Sequence, residues 1–518
     1  MSGQRLFAHR DESLRAIVES QAMSHPQSPY LLSVRSARAV SYGELSDHVK
    51  SWSDVVAPWG LADTDRVGLL IEDPVDFAIS FLALLALGVW VAPMDPTVSY
   101  VDGGQLEERI ANLNVRRIIG DRSAPLGTSI QWHEVSELAG SERSHESQTS
   151  RVSSSNGGVI LASSGTTGTP KIMALPSEQL VHAASLIALH NHLERSDRGL
   201  NPLPLWHINA EVVGLLATLV AGSCLALDDR FHRTGFWSVV ERLKITWINA
   251  VPAIISRLST LQDGERVPSG VRFIRSASAP LSPTLLQYFE RVIGVPVIES
   301  YGMTEAASQI CANPLIGPRK IGSVGRAVGV EVRVVASAKG AATTLSAPSE
   351  VGRVEIRGTT VIRRYEGAGY EDRFDPDGWL DTGDLGYLDD EGYLFLVGRS
   401  DDVINRGGEK IFPREIEDVI LGVRGVVGAA VIGVAHDVFG QVPSSYVQLD
   451  GVTETTPLEE VRIATKEIHD ALVAAFSRAR RPVNINVVTR LPAHATGKIQ
   501  KKALGDGTVA VLFQEHVS

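Results

Sequence analysis

The sequence has little cysteine, no long apolar run and no excess of positive charge. Only Cys224 and Cys311 occur in 518 residues. Two cysteines are too few for a disulfide framework, and their separation resembles no zinc-ligand spacing, so a reducing cytoplasmic setting is expected. The formal net charge of −11 argues against nucleic acid as a partner, because such binding draws on clustered Lys and Arg that release counterions. The most apolar stretch, FAISFLALLALGVWV at 77–91, is shorter than the roughly 20 residues a bilayer crossing needs. It reads as a buried helix running into a strand, and no membrane span is expected. The opening MSGQRLFAHRDESLRAIVE has neither the apolar core of a signal peptide nor the acid-poor composition of a transit peptide.

What is present is ordinary for a folded protein: 44% apolar and 21% charged residues. The length exceeds the roughly 250–300 residues at which one core stops growing, so several packed units are expected. Short β-branched runs at 66–70, 158–161, 246–250 and 295–298 alternate with helical patterns, as in parallel α/β layers. Between 322 and 397 the text changes to VGVEVRVVA, GRVEIRG and DDEGYLFLVGR, which predicts antiparallel β structure. Beyond 399, IEDVI, GAAVIGVAHD, a helical stretch over 456–480 and NINVVTRLP outline a compact α+β unit. The expected fold class is therefore α/β. A large N-terminal part of several subdomains, 1–398, precedes a small mobile α+β C-terminal domain, 399–518. The join at 398–402 is short and polar, which suits a hinge better than a tether. The Ser-rich segment 141–157 reads as an exposed connection.

The segment LASSGTTGTPK, 161–171, follows an apolar strand and packs five hydroxyl residues and two glycines. Glycine lets backbone N–H groups approach an anion closely, hydroxyls add donors and Lys171 adds charge, so such a segment can wrap phosphates. It is not a Walker loop, because no Gly-Lys-Ser/Thr follows at the required spacing. A Ser/Thr/Gly run is also the usual composition of a plain surface linker.

This segment resembles the phosphate-binding loop of the adenylate-forming superfamily, which includes acyl-CoA synthetases, the adenylation domains of peptide synthetases and luciferases. Further motifs follow in that family's order: PLWH at 204–207, YGMTE at 301–305, GWLDTGD at 378–384, GRSDDVINRGGEKIFPREIE at 398–417 and LPAHATGKIQKK at 491–502. The likeness runs from VSYGEL at 40–45 to Lys502. It implies that a carboxylic acid is activated by ATP with Mg²⁺ as acyl-AMP, releasing pyrophosphate, and is then passed to the thiol of CoA.

The resemblance assigns Ser163, Ser164, Gly165, Thr166, Thr167, Gly168 and Lys171 to the phosphates. Tyr301 offers an aromatic face for adenine, Thr304 a hydroxyl for the α-phosphate and Glu305 a hard oxygen for Mg²⁺. Ser278, Ala279, Glu299, Ser300, Gly302 and Met303 complete the nucleotide and acid site. Asp384 and Arg399 match the ribose contacts. Lys498 matches the cation that offsets charge on the reacting phosphate, and His207 lies between acid pocket and thiol path. In the family the small domain rotates between half-reactions. Asp401 matches its hinge, and Gly407 with Gly408 match the backbone lining the pantetheine channel.

Among members, the likeness is strongest to small-acid ligases of the oxalate-CoA ligase type, through FIRSASAPLSP at 273–283, YGMTEAASQICANPL at 301–315 and INRGGEKIFPREIE at 404–417. That branch would place a histidine near Ser308, where this chain has Ala307, Ser308 and Gln309, so oxalate itself is not the expected acid. Val213, Gly214, Ser278, Ala279 and Met303 predict mostly apolar pocket walls, with no Asp to anchor an ammonium group. A non-amino carboxylic acid is expected. Ile172, Arg353 and Gln441 depart from the family's usual text without removing a catalytic group. Two other readings stay open: an enzyme that loads an acyl carrier protein, and an inactive ATP-binding regulatory homologue.

Overall fold

The computed structural model describes residues 12–99, 103–123, 130–136, 157–163, 171–262, 264–336, 350–367, 369–493, 498–507 and 509–517. Residues 164–170 of the proposed phosphate segment, and all but the last residue of the Ser-rich connection, lie outside these ranges.

The apolar run at 77–91 illustrates how the core is built. Asp73 caps the helix Pro74–Ala86 by accepting from the N–H groups of Val75 and Asp76, and Pro74 occupies the first turn, where its missing N–H is not needed. The helix buries every residue from Phe77 to Ala86, as a helix apolar on all sides must. The chain then enters the buried strand Trp90–Pro93. Among the described residues no helix is long and apolar enough to cross a membrane.

Two large sheets hold the first part of the chain. One has nine strands in the order Arg326–Ala327, Cys311–Ala312, Val297–Tyr301, Phe273–Ser276, Trp247–Ala250, Arg198–Asn201, Cys224–Leu227, Pro29–Ser33, Ala39–Ser41. Its centre, from Val297–Tyr301 to Pro29–Ser33, is parallel. The other has six strands in the order Gln131–Glu134, Val115–Gly120, Arg66–Leu70, Trp90–Pro93, Gly158–Ser163, Lys171–Pro176, parallel except for the last pair. One apolar core joins residues from Leu14 to Leu394. The region expected to be antiparallel is a four-stranded sheet of Glu331–Val335, Gly352–Arg357, Leu380–Leu388 and Leu394–Arg399.

A separate core begins at Ile404 and ends at Val487. It lies between a six-stranded sheet, from Ile404–Arg406 to Val511–His516, and the helices Pro413–Leu421 and Leu458–Ala475. The helical stretch expected over 456–480 is thus shorter. Phe476 turns extended (φ −129°, ψ 147°), and only a short 3₁₀ turn follows, at Arg478–Arg480.

Candidate active site

The turn after Val297–Tyr301 depends on one glycine. A Cβ on Gly302 would sit 1.4 Å from the Ser308 carbonyl oxygen, so no other residue fits. The chain makes a 3₁₀ turn at Thr304–Ala306, takes left-handed conformations at Ala307 and Ser308, and returns so that Ile310 donates to the Tyr301 carbonyl at 2.8 Å. This doubling-back buries Glu305, whose Oε1 accepts from the Tyr365 hydroxyl at 2.8 Å. It also aims the Tyr301 hydroxyl at Asp384 Oδ2, to which it donates.

Asp384 and Arg399 are register partners on adjacent strands, and their side chains form an ion pair at 3.4 Å. Gly383, at φ 77°, lets the guanidinium groups of Arg399 and Arg373 lie against the backbone beside Asp384; a Cβ there would meet them at 3.0 and 3.1 Å.

Two lysines face this cluster. Lys171 ends residues 164–170 as the register partner of Ser163, and its Nζ lies over the rings of Tyr370 and Tyr365 at 5.1 and 5.5 Å. Burial, then Arg373, push its ammonium below the ordinary lysine range, while Glu305 and Asp401 oppose the shift. Lys498 has an exposed side chain, and neighbouring groups still displace part of the water around its ammonium. That desolvation, then Arg399, lower its pKa, and Asp384, Asp402 and Glu305 draw it back. The lysine segment is held by a bridge between Ala493 and Ile499, and by Gln500 donating to the Pro492 carbonyl at 2.8 Å. Lys501 is anchored by Glu417 at 2.6 Å. Residues from four distant motifs thus meet around Asp384.

Residues 18–366 match the family described as AMP-binding enzyme, and 415–498 match the AMP-binding enzyme C-terminal domain. The chain belongs to the AMP-binding enzyme family. This AMP-binding enzyme is 31% identical to the sulfoacetate–CoA ligase of Cupriavidus necator, over 95% of this chain and 97% of that protein. It is 31% identical to the oxalate–CoA ligase of Arabidopsis thaliana, over 95% and 98%. Among solved structures it is similar to o-succinylbenzoate CoA synthetase from Bacillus subtilis in complex with its acyl-adenylate intermediate, with TM-score 0.80, 26% identity and coverage of 95% and 98%. The α/β fold class follows from these matches.

Other expected residues of the AMP-binding enzyme lie around the cluster or away from it. Ser278 takes φ 73°, and its Oγ accepts from Asn209 at 3.3 Å; Ala279 follows it. The Ser300 hydroxyl donates to the Ser276 carbonyl at 3.0 Å. His207 precedes a π-helical segment, Ala210–Leu216, and its carbonyl accepts from the Glu211 backbone N–H at 3.2 Å. Glu299 is buried within electrostatic reach of Arg414 and Asp418 on the helix Pro413–Leu421. Burial pushes its carboxyl up to about 7 against the pull of Arg414. Gly407 and Gly408 form an exposed hairpin turn (φ 57° and 96°) bonded to the Phe439 carbonyl and Asn405 Oδ1, at 2.8 and 2.9 Å, not to the Asp384 cluster. Asp401 lies in the turn Ser400–Asp402, directly after Arg399.

The departures find local uses. Ile172 packs on the core of the six-stranded sheet and accepts from the Glu366 N–H at 2.8 Å. Arg353 pairs with Asp381 at 2.9 Å, and Gln441 Oε1 accepts from the Asn405 N–H at 3.1 Å. The sequence reading missed Tyr365, Tyr370 and Arg373, although RRYEGAGYEDRF at 363–374 offers a signal: aromatics and arginines gathered in a Gly-containing stretch. Arg275, 1% exposed, is linked to Ser278 through Asn209, which also bonds Asn249, and donates to Gln309.

The residues present fit ATP with a magnesium ion. Mg²⁺ keeps most of its waters and takes one or two carboxylates beside phosphate oxygens, and Glu305 supplies one fixed carboxylate close to two lysines.

Proposed function

We propose that this AMP-binding enzyme is an acid–thiol ligase that activates a carboxylic acid as acyl-AMP, releases pyrophosphate and passes the acyl group to the thiol of CoA. The observation that carries the proposal is the Asp384–Arg399 ion pair with the Lys498 ammonium and Glu305 within electrostatic reach of it.

In the first half-reaction an acid oxygen attacks the α-phosphorus of ATP, the new P–O bond forms and the bond to the β-phosphate oxygen breaks. The acid is already ionised at neutral pH, so no general base is needed. Negative charge grows on the phosphorus oxygens and on pyrophosphate, where the Lys498 ammonium offsets it from a fixed position. Thr304 donates to the α-phosphate, and Asp384 with Arg399 orients the ribose beside the Tyr301 ring. Lys171 and the segment 163–168 hold the outer phosphates. Bound at Glu305, Mg²⁺ would supply further charge neutralisation.

In the second half-reaction the thiol, losing its proton, attacks the acyl carbonyl, and AMP departs. The Lys498 side chain must withdraw for that approach. We assign 1–398 as the adenylating domain and 399–518 as a mobile domain turning about Asp401, which would bring Gly407 and Gly408 to the thiol path. His207 would line the junction of acid pocket and thiol path. The names of the relatives, acting on sulfoacetate and oxalate, favour CoA as acceptor. Two buried free cysteines support a cytoplasmic setting.

Incubating the protein with a good acid, ATP and free CoA, and reading acyl-CoA by mass spectrometry, tests the acceptor. Acyl-AMP that accumulates without thioester would replace CoA with a carrier protein.

A further inference from the structure

Parallel sheets bind ligands at the carboxyl ends of their strands. Asn201, Asn249 and Arg275 occupy this position on three neighbouring strands, Arg198–Asn201, Trp247–Ala250 and Phe273–Ser276, and Asn249 and Arg275 are register partners. All three are 0–1% exposed. Arg275 donates from one terminal nitrogen to Asn209 Oδ1 at 3.3 Å and from the other to Gln309 Oε1 at 3.0 Å. Its Nε–H, the Gln309 amide nitrogen and the Ser276 hydroxyl are buried with no hydrogen-bond partner among the described residues.

A buried guanidinium without a counter-ion is costly, because its partners here are neutral amides. Among the described residues no carboxylate pairs with Arg275. Glu211, two residues beyond Asn209, is fully buried, and both its oxygens lack partners. Burial drives its carboxyl well above the usual carboxylate range, and neither oxygen makes an ion pair or hydrogen bond to Arg275. Unused donors around an uncompensated cation form a site for an anion. The site adjoins the expected acid pocket, because Asn209 bonds both Arg275 and Ser278.

We propose that Arg275, with Gln309 and Ser276, binds a second anionic group at the far end of the acid, so that the substrates are short acids carrying a distal carboxylate or sulfonate. The Asn209 side chain bonds both Ser278 and Arg275, at 3.3 Å each, so the two ends of such an acid would lie close together. The proposal rests on the acid–thiol ligase reading.

The test compares acid-dependent pyrophosphate release for malonate, succinate and sulfoacetate with that for propionate and butyrate, in the wild-type protein and in Arg275→Met and Arg275→Lys. The wild type should prefer one or more of the dianions by roughly 10² or more in kcat/KM. Arg275→Met should lose that preference, chiefly through KM, while keeping or gaining activity on the neutral-tailed acids. Arg275→Lys should restore part of it. Methionine replaces a buried charge by an apolar chain of similar length, a change that is often neutral or stabilising. An unchanged melting temperature and nucleotide affinity would confirm that the variant folds. If Arg275→Met melts early, Arg275→Lys carries the test through its altered ratio of dianion to monoanion turnover. A wild type that favours propionate or butyrate, or a dianion preference unchanged in folded variants, overturns the subsite but leaves the ligase reading standing. No release with any acid overturns the ligase reading itself.

Discussion

Replacing Lys498 by alanine removes one fixed cation from the reacting phosphate. Adenylation is expected to slow by about 10²–10³, the scale for losing one preorganised charge donor, while nucleotide binding persists. Thioester formation from preformed acyl-AMP should change far less. A stopped-flow comparison of the two half-reactions checks both halves of that statement. The same residue sets an alkaline limit. Desolvation and Arg399 lower its pKa, so the ammonium that adenylation requires is present below the lowered value and lost as pH rises through it. Pyrophosphate release should therefore decline at a pH below that of an ordinary lysine, and Lys498→Arg should shift the decline upward. A rate that stays flat past the ordinary lysine pKa would contradict this account. At this scale the motifs made Tyr301, Glu305, Asp384, Arg399 and Lys498 legible, because each sits in a short, ordered signature. Arg275 was not legible as a functional residue. FIRS reads as an ordinary strand, and only the fold reveals that its arginine is buried among amides without a counter-charge.

At the scale of elements, the hairpin bearing Gly407 and Gly408 separates the two half-reactions. Gly408 has φ 96°, is exposed and has no atom within 4 Å of where a Cβ would lie. A leucine there would strain the turn locally and narrow the proposed thiol path. Gly408→Leu should keep acyl-AMP formation and slow transfer to CoA by at least ~10-fold, the effect expected from a small misplacement of reacting groups. Equal loss in both steps would argue for general damage instead.

Glu299 on the strand Val297–Tyr301 lies within electrostatic reach of Arg414 and Asp418 on the helix Pro413–Leu421. Because burial raises the Glu299 carboxyl from an ordinary 4.5 to about 7, the folded chain holds that proton more tightly than the unfolded one. Stability from this group is present below about 4.5 and is lost as pH rises to about 7. Glu299→Gln should flatten the fall in melting temperature across that window and raise stability above it. An unchanged slope in a thermal unfolding series would refute the assignment. The pairing of these elements could not be read from composition, since Glu299 and Arg414 are 115 positions apart and neither local pattern names its partner.

At the scale of the whole molecule, hydrophobic patterning made the parallel and antiparallel regions legible, because alternating runs and turn residues report burial directly. It did not reveal how the parallel runs divide between a nine-stranded and a six-stranded sheet. Strand order depends on contacts between distant segments. It also did not show that Lys498 comes within electrostatic reach of Asp384, an arrangement that suits the chemistry. The most direct test measures pyrophosphate release across a panel of carboxylic acids, with CoA absent and then present. The account predicts acid-dependent pyrophosphate and bound acyl-AMP without CoA, followed by AMP and acyl-CoA once CoA is added. ATP cleavage to ADP and phosphate, or no dependence on any acid, would contradict it.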